Sequence, residues 1–165
     1  MATLYVMIGV PGSGKSTWAY EHLNPLQASW ISRDAVRFSM VNEDEKYFSK
    51  EKDVFKEYVR RINALLEDDY NVIADATHIT AASRNKLISN ITVPDVSLYA
   101  VWINTPLETC LERNETRTGR EYVPVEVIQE MYRNLEKPTT EEGFNAIYIK
   151  QDGEFPEMVI YKEGE

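Results

Sequence analysis

The sequence predicts an α/β fold, a parallel β-sheet with helices packed on both of its faces. Two observations predict it. Short apolar runs of strand length, rich in β-branched and aromatic residues, alternate along the chain with longer stretches whose apolar residues recur at helical spacing. The first of those runs leads through a glycine-rich segment into a helical stretch, which is the order of a βα unit.

Taken in order, Thr3 to Ile8 (TLYVMI) reads as a buried central strand. Gly9 to Thr17 is the glycine-rich turn, and Trp18 to Leu23 continues as helix. Ala28 to Ser32 is a second strand, ending at Arg33-Asp34. The longest helical pattern runs from about Lys46 to Asp69, with Val54, Phe55, Tyr58, Val59, Ile62, Leu65 and Leu66 on one stripe. Asn71 to Ala74 is a short strand, Thr80 to Asn90 a helix, and Val96 to Ile103 another buried strand. Thr105-Pro106-Leu107-Glu108 carries the marks of a helix start, with Thr105 as cap and Glu108 closing a capping box; that helix runs to about Thr116. A polar, arginine-rich stretch through Tyr122 leads to a last helix, Pro124 to Leu135. Ala146 to Lys150 closes the sheet, and Met158 to Tyr161 is a candidate edge strand. With 165 residues and no repeat or linker, one domain is expected.

The bulk properties narrow the function. The first residues form a strand rather than a signal peptide, and no apolar run approaches the ~20 residues that cross a bilayer, so a soluble, cytoplasmic protein without membrane contact is expected. A single cysteine, Cys110, excludes an internal disulfide framework and reads as a small buried hydrophobe. The net charge of −9 argues against broad binding to nucleic acid, although a local cationic pocket for one strand end remains compatible with it.

Gly9-Val10-Pro11-Gly12-Ser13-Gly14-Lys15-Ser16 matches G-x-x-x-x-G-K-[ST], the P-loop. The glycines let successive backbone N–H groups of Gly12, Ser13, Gly14, Lys15, Ser16 and Thr17 face phosphate oxygens, and the helix that follows aims its positive end at the same anion. Lys15 reaches the β- and γ-phosphates of ATP, and the Ser16 hydroxyl is the metal ligand for Mg²⁺. No N-K-x-D motif supports a GTPase, and the short chain fits a small kinase better than a motor ATPase.

A kinase also needs a base for the acceptor and cations around the transferred group. Asp34 follows the second strand at the end of the sheet that bears the P-loop, and is the candidate general base. Arg37, one helical turn on, is placed to grip an acceptor phosphate; a cap for Asp34 and a surface charge for Arg37 are the structural alternatives. Asp75 ends the third strand, where a carboxylate serves either the Mg²⁺ shell or an acceptor-binding arginine. His78, one of two histidines and without a ligand cluster, reads as a polar contact in a loop rather than a metal ligand. Arg113 and Arg117 share a helix face and, with Gly119 and Arg120, suggest a lid over about 113–123 that closes on ATP, with Arg117 among the catalytic groups. Complementing a helix dipole is the plainer role, and Arg120 fits either one.

Together these residues resemble the 5′-kinase domain of phage-type polynucleotide kinases. The resemblance rests on Gly9–Thr17, Ser32–Arg37, Asp75–His78 with Arg84, and Arg113–Pro124 followed by Met131-Tyr132. It implies a P-loop NTPase fold with an arginine-bearing lid, and transfer of the ATP γ-phosphate to the 5′-hydroxyl end of DNA or RNA. It also implies Lys15 and Ser16 at ATP, Asp34 as base, Arg113 and Arg117 in the lid, and Arg37, Asp75 and Arg84 on the substrate side. His78 departs from the family, which often has Asn there. A D-x-D-G-T phosphatase motif is absent, which implies a kinase domain without 3′-phosphatase activity. The wider grouping includes kinases of small-molecule hydroxyls, the alternative that the acidic composition favours; a regulatory nucleotide-binding module is a third class.

Overall fold

The computed structural model describes residues 1–151 and 158–161. Its six strands are β1 (Thr3–Ile8), β2 (Ala28–Ser32), β3 (Asn71–Asp75), β4 (Ser97–Asn104), β5 (Ala146–Gln151) and β6 (Met158–Tyr161). They form one sheet in the order β2-β3-β1-β4-β5-β6, parallel throughout except for the antiparallel edge pair β5–β6. The helices are α1 (Lys15–Leu26), α2 (Arg33–Met40), α3 (Glu51–Glu67), α4 (Ala81–Ile88), α5 (Leu107–Glu115) and α6 (Val125–Asn134). The α/β class and the edge strand agree with expectation. Among the described residues no helix is long and apolar enough to cross a membrane.

The period-two alternation of β1 sorts its side chains between two cores. Leu4, Val6 and Ile8 join Val72, Ala74 and Ala100 beneath Val54, Tyr58, Ile62 and Leu66 of α3 and Leu87 of α4. Met7 faces the opposite way, with Ile73, Val101 and Ile103, onto Trp18 and Ala19 of α1. Burial on both faces explains why these strands read as continuous apolar runs. A third cluster, Val10, Cys110 and Ile128, seats α5 and α6 against the start of the P-loop, with Cys110 fully buried as expected.

Three helix expectations need correction. The long helix starts at Glu51, not near Lys46. Residues 46–50 fold back on α2 instead, where Lys50 Nζ donates to the Met40 carbonyl at 2.9 Å and Tyr47 packs edge-on to Phe38. Tertiary contacts there outweigh local propensity. The first helix begins at Lys15, directly out of the P-loop, because Gly14 supplies the left-handed turn (φ 104°) that starts it. Thr105 caps nothing: Pro106 occupies the N-cap position of α5 without any side-chain cap.

The order of the strands positions the site. β1 lies between β3 and β4, so the chain leaving β1, β2 and β3 at their carboxyl ends converges on one crevice, where open α/β sheets bind ligands.

Candidate active site

The segment after β1 is shaped by its backbone. Gly9 N–H donates to the Thr77 carbonyl at 3.0 Å and Ser13 N–H to the Val10 carbonyl at 3.1 Å. Gly12 has φ 84°, and a Cβ there would stand 2.5 Å from the Cys110 carbonyl oxygen, so glycine is required twice over. Two side chains from beyond β4 brace the loop from outside. The buried Thr105 hydroxyl donates to the Ser13 carbonyl at 2.6 Å, which is the role it has in place of the expected cap. Arg113 Nη1 donates to the carbonyls of Gly12 (3.3 Å) and Ser13 (3.1 Å). The Gly12 and Ser13 carbonyls are thus held by these outer donors, while the Gly9 and Ser13 N–H groups fix the turn itself.

Lys15 Nζ rests on the Val10 carbonyl at 3.0 Å. Burial lowers its pKa, and the charges of Asp75 and Asp34 counter this in part. The Arg117 charge also lowers it. Ser16 and Thr17 are exposed at the start of α1. The Ser16 hydroxyl donates to Asp75 Oδ2 at 3.1 Å, and Trp30 Nε1 donates to the same oxygen at 3.0 Å. Burial raises the Asp75 pKa, opposed by Lys15, Trp30 and Ser16. A hydroxyl and a carboxylate oxygen side by side next to a phosphate loop form the donor set that Mg²⁺ takes together with phosphate oxygens. Of the two roles open to Asp75, its neighbours favour the metal shell.

The acceptor side is made of side chains. Ser32 caps α2 by accepting from Ala35 N–H at 3.2 Å, so Asp34 is not the cap and its carboxylate projects into solvent. Arg37 is 5% exposed, contrary to a solvated surface charge. It lies between two carboxylates: Nη1 donates to Asp34 Oδ1, and Nε and Nη2 donate to the two oxygens of Glu51. Burial works to lower the Arg37 pKa, but Glu51, Tyr47 and Asp34 outweigh it and the net direction is upward. The Tyr47 hydroxyl donates to Asp34 Oδ1 at 3.0 Å and takes a bond from Arg37 Nη1 at 3.1 Å. Burial and then the Asp34 charge push the Tyr47 pKa up to about 12, so it stays a donor. Both contacts fall on Oδ1, which turns Oδ2 of Asp34 outward.

Arg84 is the site expectation that the structure contradicts. It is fully buried, its Nε donates to Glu142 at 2.6 Å, and its Nη1 donates to the His78 carbonyl at 2.8 Å. An arginine so enclosed ties α4 to the turn at Thr140–Glu142 and reaches no substrate. His78 is likewise interior. Its Nδ1–H donates to the Met7 carbonyl at 2.7 Å, Tyr58 hydroxyl donates to Nε2 at 3.4 Å, and burial lowers its pKa to about 4. Its φ of 42° lies in the left-handed region that Asn tolerates best outside glycine.

The loop expected to act as a lid has a fixed base. Buried Asn114 donates to the Val123 carbonyl at 2.7 Å and accepts from Val123 N–H at 3.0 Å, closing the loop 115–122 at its neck. Two arginines there are placed by contacts: Arg113 donates to the P-loop carbonyls, and Arg120 lies over the ring of Phe38 on α2, at 4.5 Å. Sequence reasoning missed Glu51, Trp30 and the loop brace at Thr105. Only Thr105 carried a local signal, a small hydroxyl residue at the carboxyl end of a central strand.

Comparisons with known proteins bear on the family and the fold. Residues 4–138 match a family model described as an AAA domain, AAA_33. The L-seryl-tRNA(Sec) kinase of Methanococcus maripaludis is 26% identical over 165 residues, an alignment that covers 97% of this chain. The chain spans only 62% of that kinase's length. The structure of the Pnkp1/Rnl/Hen1 RNA repair complex contains a chain that superimposes with a TM-score of 0.68 and 26% identity, covering 81% of this chain and 44% of that one. A sugar kinase from Janibacter sp. HTCC2649 superimposes with a TM-score of 0.65 at 16% identity, covering 92% of this chain and 86% of that one, and shows the shared fold. By the family match over most of its length, the chain belongs to the AAA_33 family of AAA domains, and its fold is that of a P-loop kinase.

Proposed function

We propose that this P-loop kinase is a polynucleotide 5′-hydroxyl kinase acting as one domain, with ATP as donor and the 5′-OH end of DNA or RNA as acceptor. The observation that carries the reading is the placement of Asp34. Its carboxylate is exposed, oriented by Arg37 and Tyr47, and near enough to Lys15 and Asp75 for its charge to act on both. A hydroxyl entering there meets a base on one side and the γ-phosphate held by Lys15 on the other. Asp34 Oδ2 takes the hydroxyl proton as the oxygen forms its bond to the γ-phosphorus. The bond from γ-phosphorus to the bridging oxygen breaks, and ADP leaves. Arg117 balances charge on the β- and γ-phosphates from the lid, while Arg113 braces the loop that holds them. Ser16 and Asp75 are the residues that would hold Mg²⁺, which would supply neutralisation of phosphate charge there.

The partial likeness to a tRNA-linked seryl kinase and to an RNA repair chain supports a nucleic-acid acceptor. The acidic composition, with net charge −9, favours the second reading, phosphorylation of a small-molecule hydroxyl. Transfer of label from γ-labelled ATP to a 5′-OH oligonucleotide, and not to its 5′-phosphorylated counterpart, is the expected result. No label on either, with ATP still bound, makes the small-molecule acceptor the leading reading.

A further inference from the structure

Between α2 and the loop 115–122 lies an open cleft of about 840 Å³, within the range of small-ligand sites, lined by Phe38, Glu43, Tyr47 and the residues 118–122. Tyr47 links the cleft to Asp34, because it lines the cleft and its hydroxyl bonds Asp34 at 3.0 Å. Its apolar surface is aromatic. Phe38 and Tyr47 meet with ring centroids 6.0 Å apart, and Tyr122 is 43% exposed. Over this surface stands the Arg120 guanidinium, whose buried Nη2 has no hydrogen-bond partner among the described residues. Arg37 offers no such unpartnered nitrogen, since each of its three side-chain nitrogens is already bonded to Asp34, Glu51 or Tyr47.

We propose that this cleft holds the second nucleotide of a 5′-hydroxyl strand, with its base on the Phe38–Tyr47–Tyr122 surface and its 3′-phosphate on Arg120. The inference rests on the acceptor class proposed above and adds to it the residue that distinguishes a strand from a single nucleotide. An unpaired guanidinium nitrogen above aromatic rings matches a nucleotide, which presents a charged oxygen acceptor and a stacking face together. Glu43 and Glu121 line the same cleft and repel further phosphates, so the contact with the strand ends there. Arg120 is thereby separated in function from Arg113, which faces the nucleotide loop although both belong to one lid.

The test compares two acceptors in the intact protein: a nucleoside 3′-monophosphate, which ends at the first phosphate, and a 5′-OH trinucleotide. Wild type is expected to show the lower KM for the trinucleotide. Arg120→Ala raises that KM by about 10- to 100-fold, the value of one charge-assisted contact, and leaves KM for the nucleoside monophosphate and for ATP unchanged. Phe38→Leu gives a smaller rise of the same pattern, and Arg120→Lys restores part of the loss. The log–log dependence of trinucleotide KM on salt becomes shallower by about 0.7 in Arg120→Ala, one phosphate contact fewer. An unchanged trinucleotide KM, an equal rise for both acceptors, or a rise confined to ATP overturns the assignment while wild-type transfer to oligonucleotides continues. Absence of any oligonucleotide transfer by wild type is a different result, which removes the acceptor class itself and this inference with it.

Discussion

Around Lys15 the site is set by backbone: glycines at positive φ, and the Gly12 and Ser13 carbonyls held by Thr105 and Arg113. Around Asp34 it is set by other side chains, because Arg37, Tyr47 and Glu51 arrive from three segments and hold one another by charge and hydrogen bonds. The difference is one of tolerance. A backbone cradle fails when a glycine gains a Cβ or a brace is lost, whereas a side-chain network can be detuned one member at a time. On the proposed function it also separates the tasks, one half holding the donor and the other selecting what is phosphorylated.

Substitutions that strike one half only should break the comparison cleanly. Lys15→Ala removes the cation of the donor half and is expected to lower the transfer rate by about 10³-fold or more. Near-normal turnover would show that the loop does not hold the reacting phosphate. Asp34→Asn, in the acceptor half, is expected to cost about 10²- to 10⁴-fold in kcat with ATP affinity intact. Weaker ATP binding at full kcat would give Asp34 a structural role instead. Glu51→Gln frees Arg37 from one of its carboxylates, and about a 10-fold fall in kcat/KM for the acceptor is expected, with KM for ATP unmoved. Thr105→Val removes the brace on Ser13 and should raise KM for ATP a few-fold while the acceptor KM holds. If Glu51 and Thr105 variants gave the same pattern, the two halves would not be separate.

The smallest effect lies beneath both halves. His78 is neutral in the folded protein because burial lowers its pKa from 6.5 to about 4, so the unfolded chain binds more protons between those values. Its contribution to stability is therefore present above about pH 6.5 and is lost as pH falls towards 4, at most about 3 kcal/mol. His78→Asn, which accepts the left-handed backbone, should lower Tm at neutral pH and narrow its gap to wild type in acid. Parallel curves of Tm against pH would show that His78 does not carry this dependence.

The same contrast explains what the sequence made legible. The donor half is written in contiguous spacing, because its chemistry is a turn geometry that only certain residues permit. Asp34 and Asp75 were readable since each ends a recognisable strand. Glu51 was not, because its role depends on residues 46–50 folding back on α2, where the apolar spacing alone predicts helix. Arg84 misled for the same reason in reverse. Its partner Glu142 lies 58 residues away, so nothing local revealed that the charge is buried and spent on structure. Thr105 shows a milder case, where the local pattern of a cap was present and a tertiary acceptor, the Ser13 carbonyl, took the hydroxyl instead.

The most direct measurement is positional. A 5′-OH oligonucleotide is incubated with γ-labelled ATP and the protein, then digested to nucleoside 5′-monophosphates, and the label is located. The account predicts all label on the 5′-monophosphate of the terminal residue, with none after Asp34→Asn over the same interval. Label absent from the oligonucleotide, but recovered on a small-molecule hydroxyl offered in parallel, would contradict it.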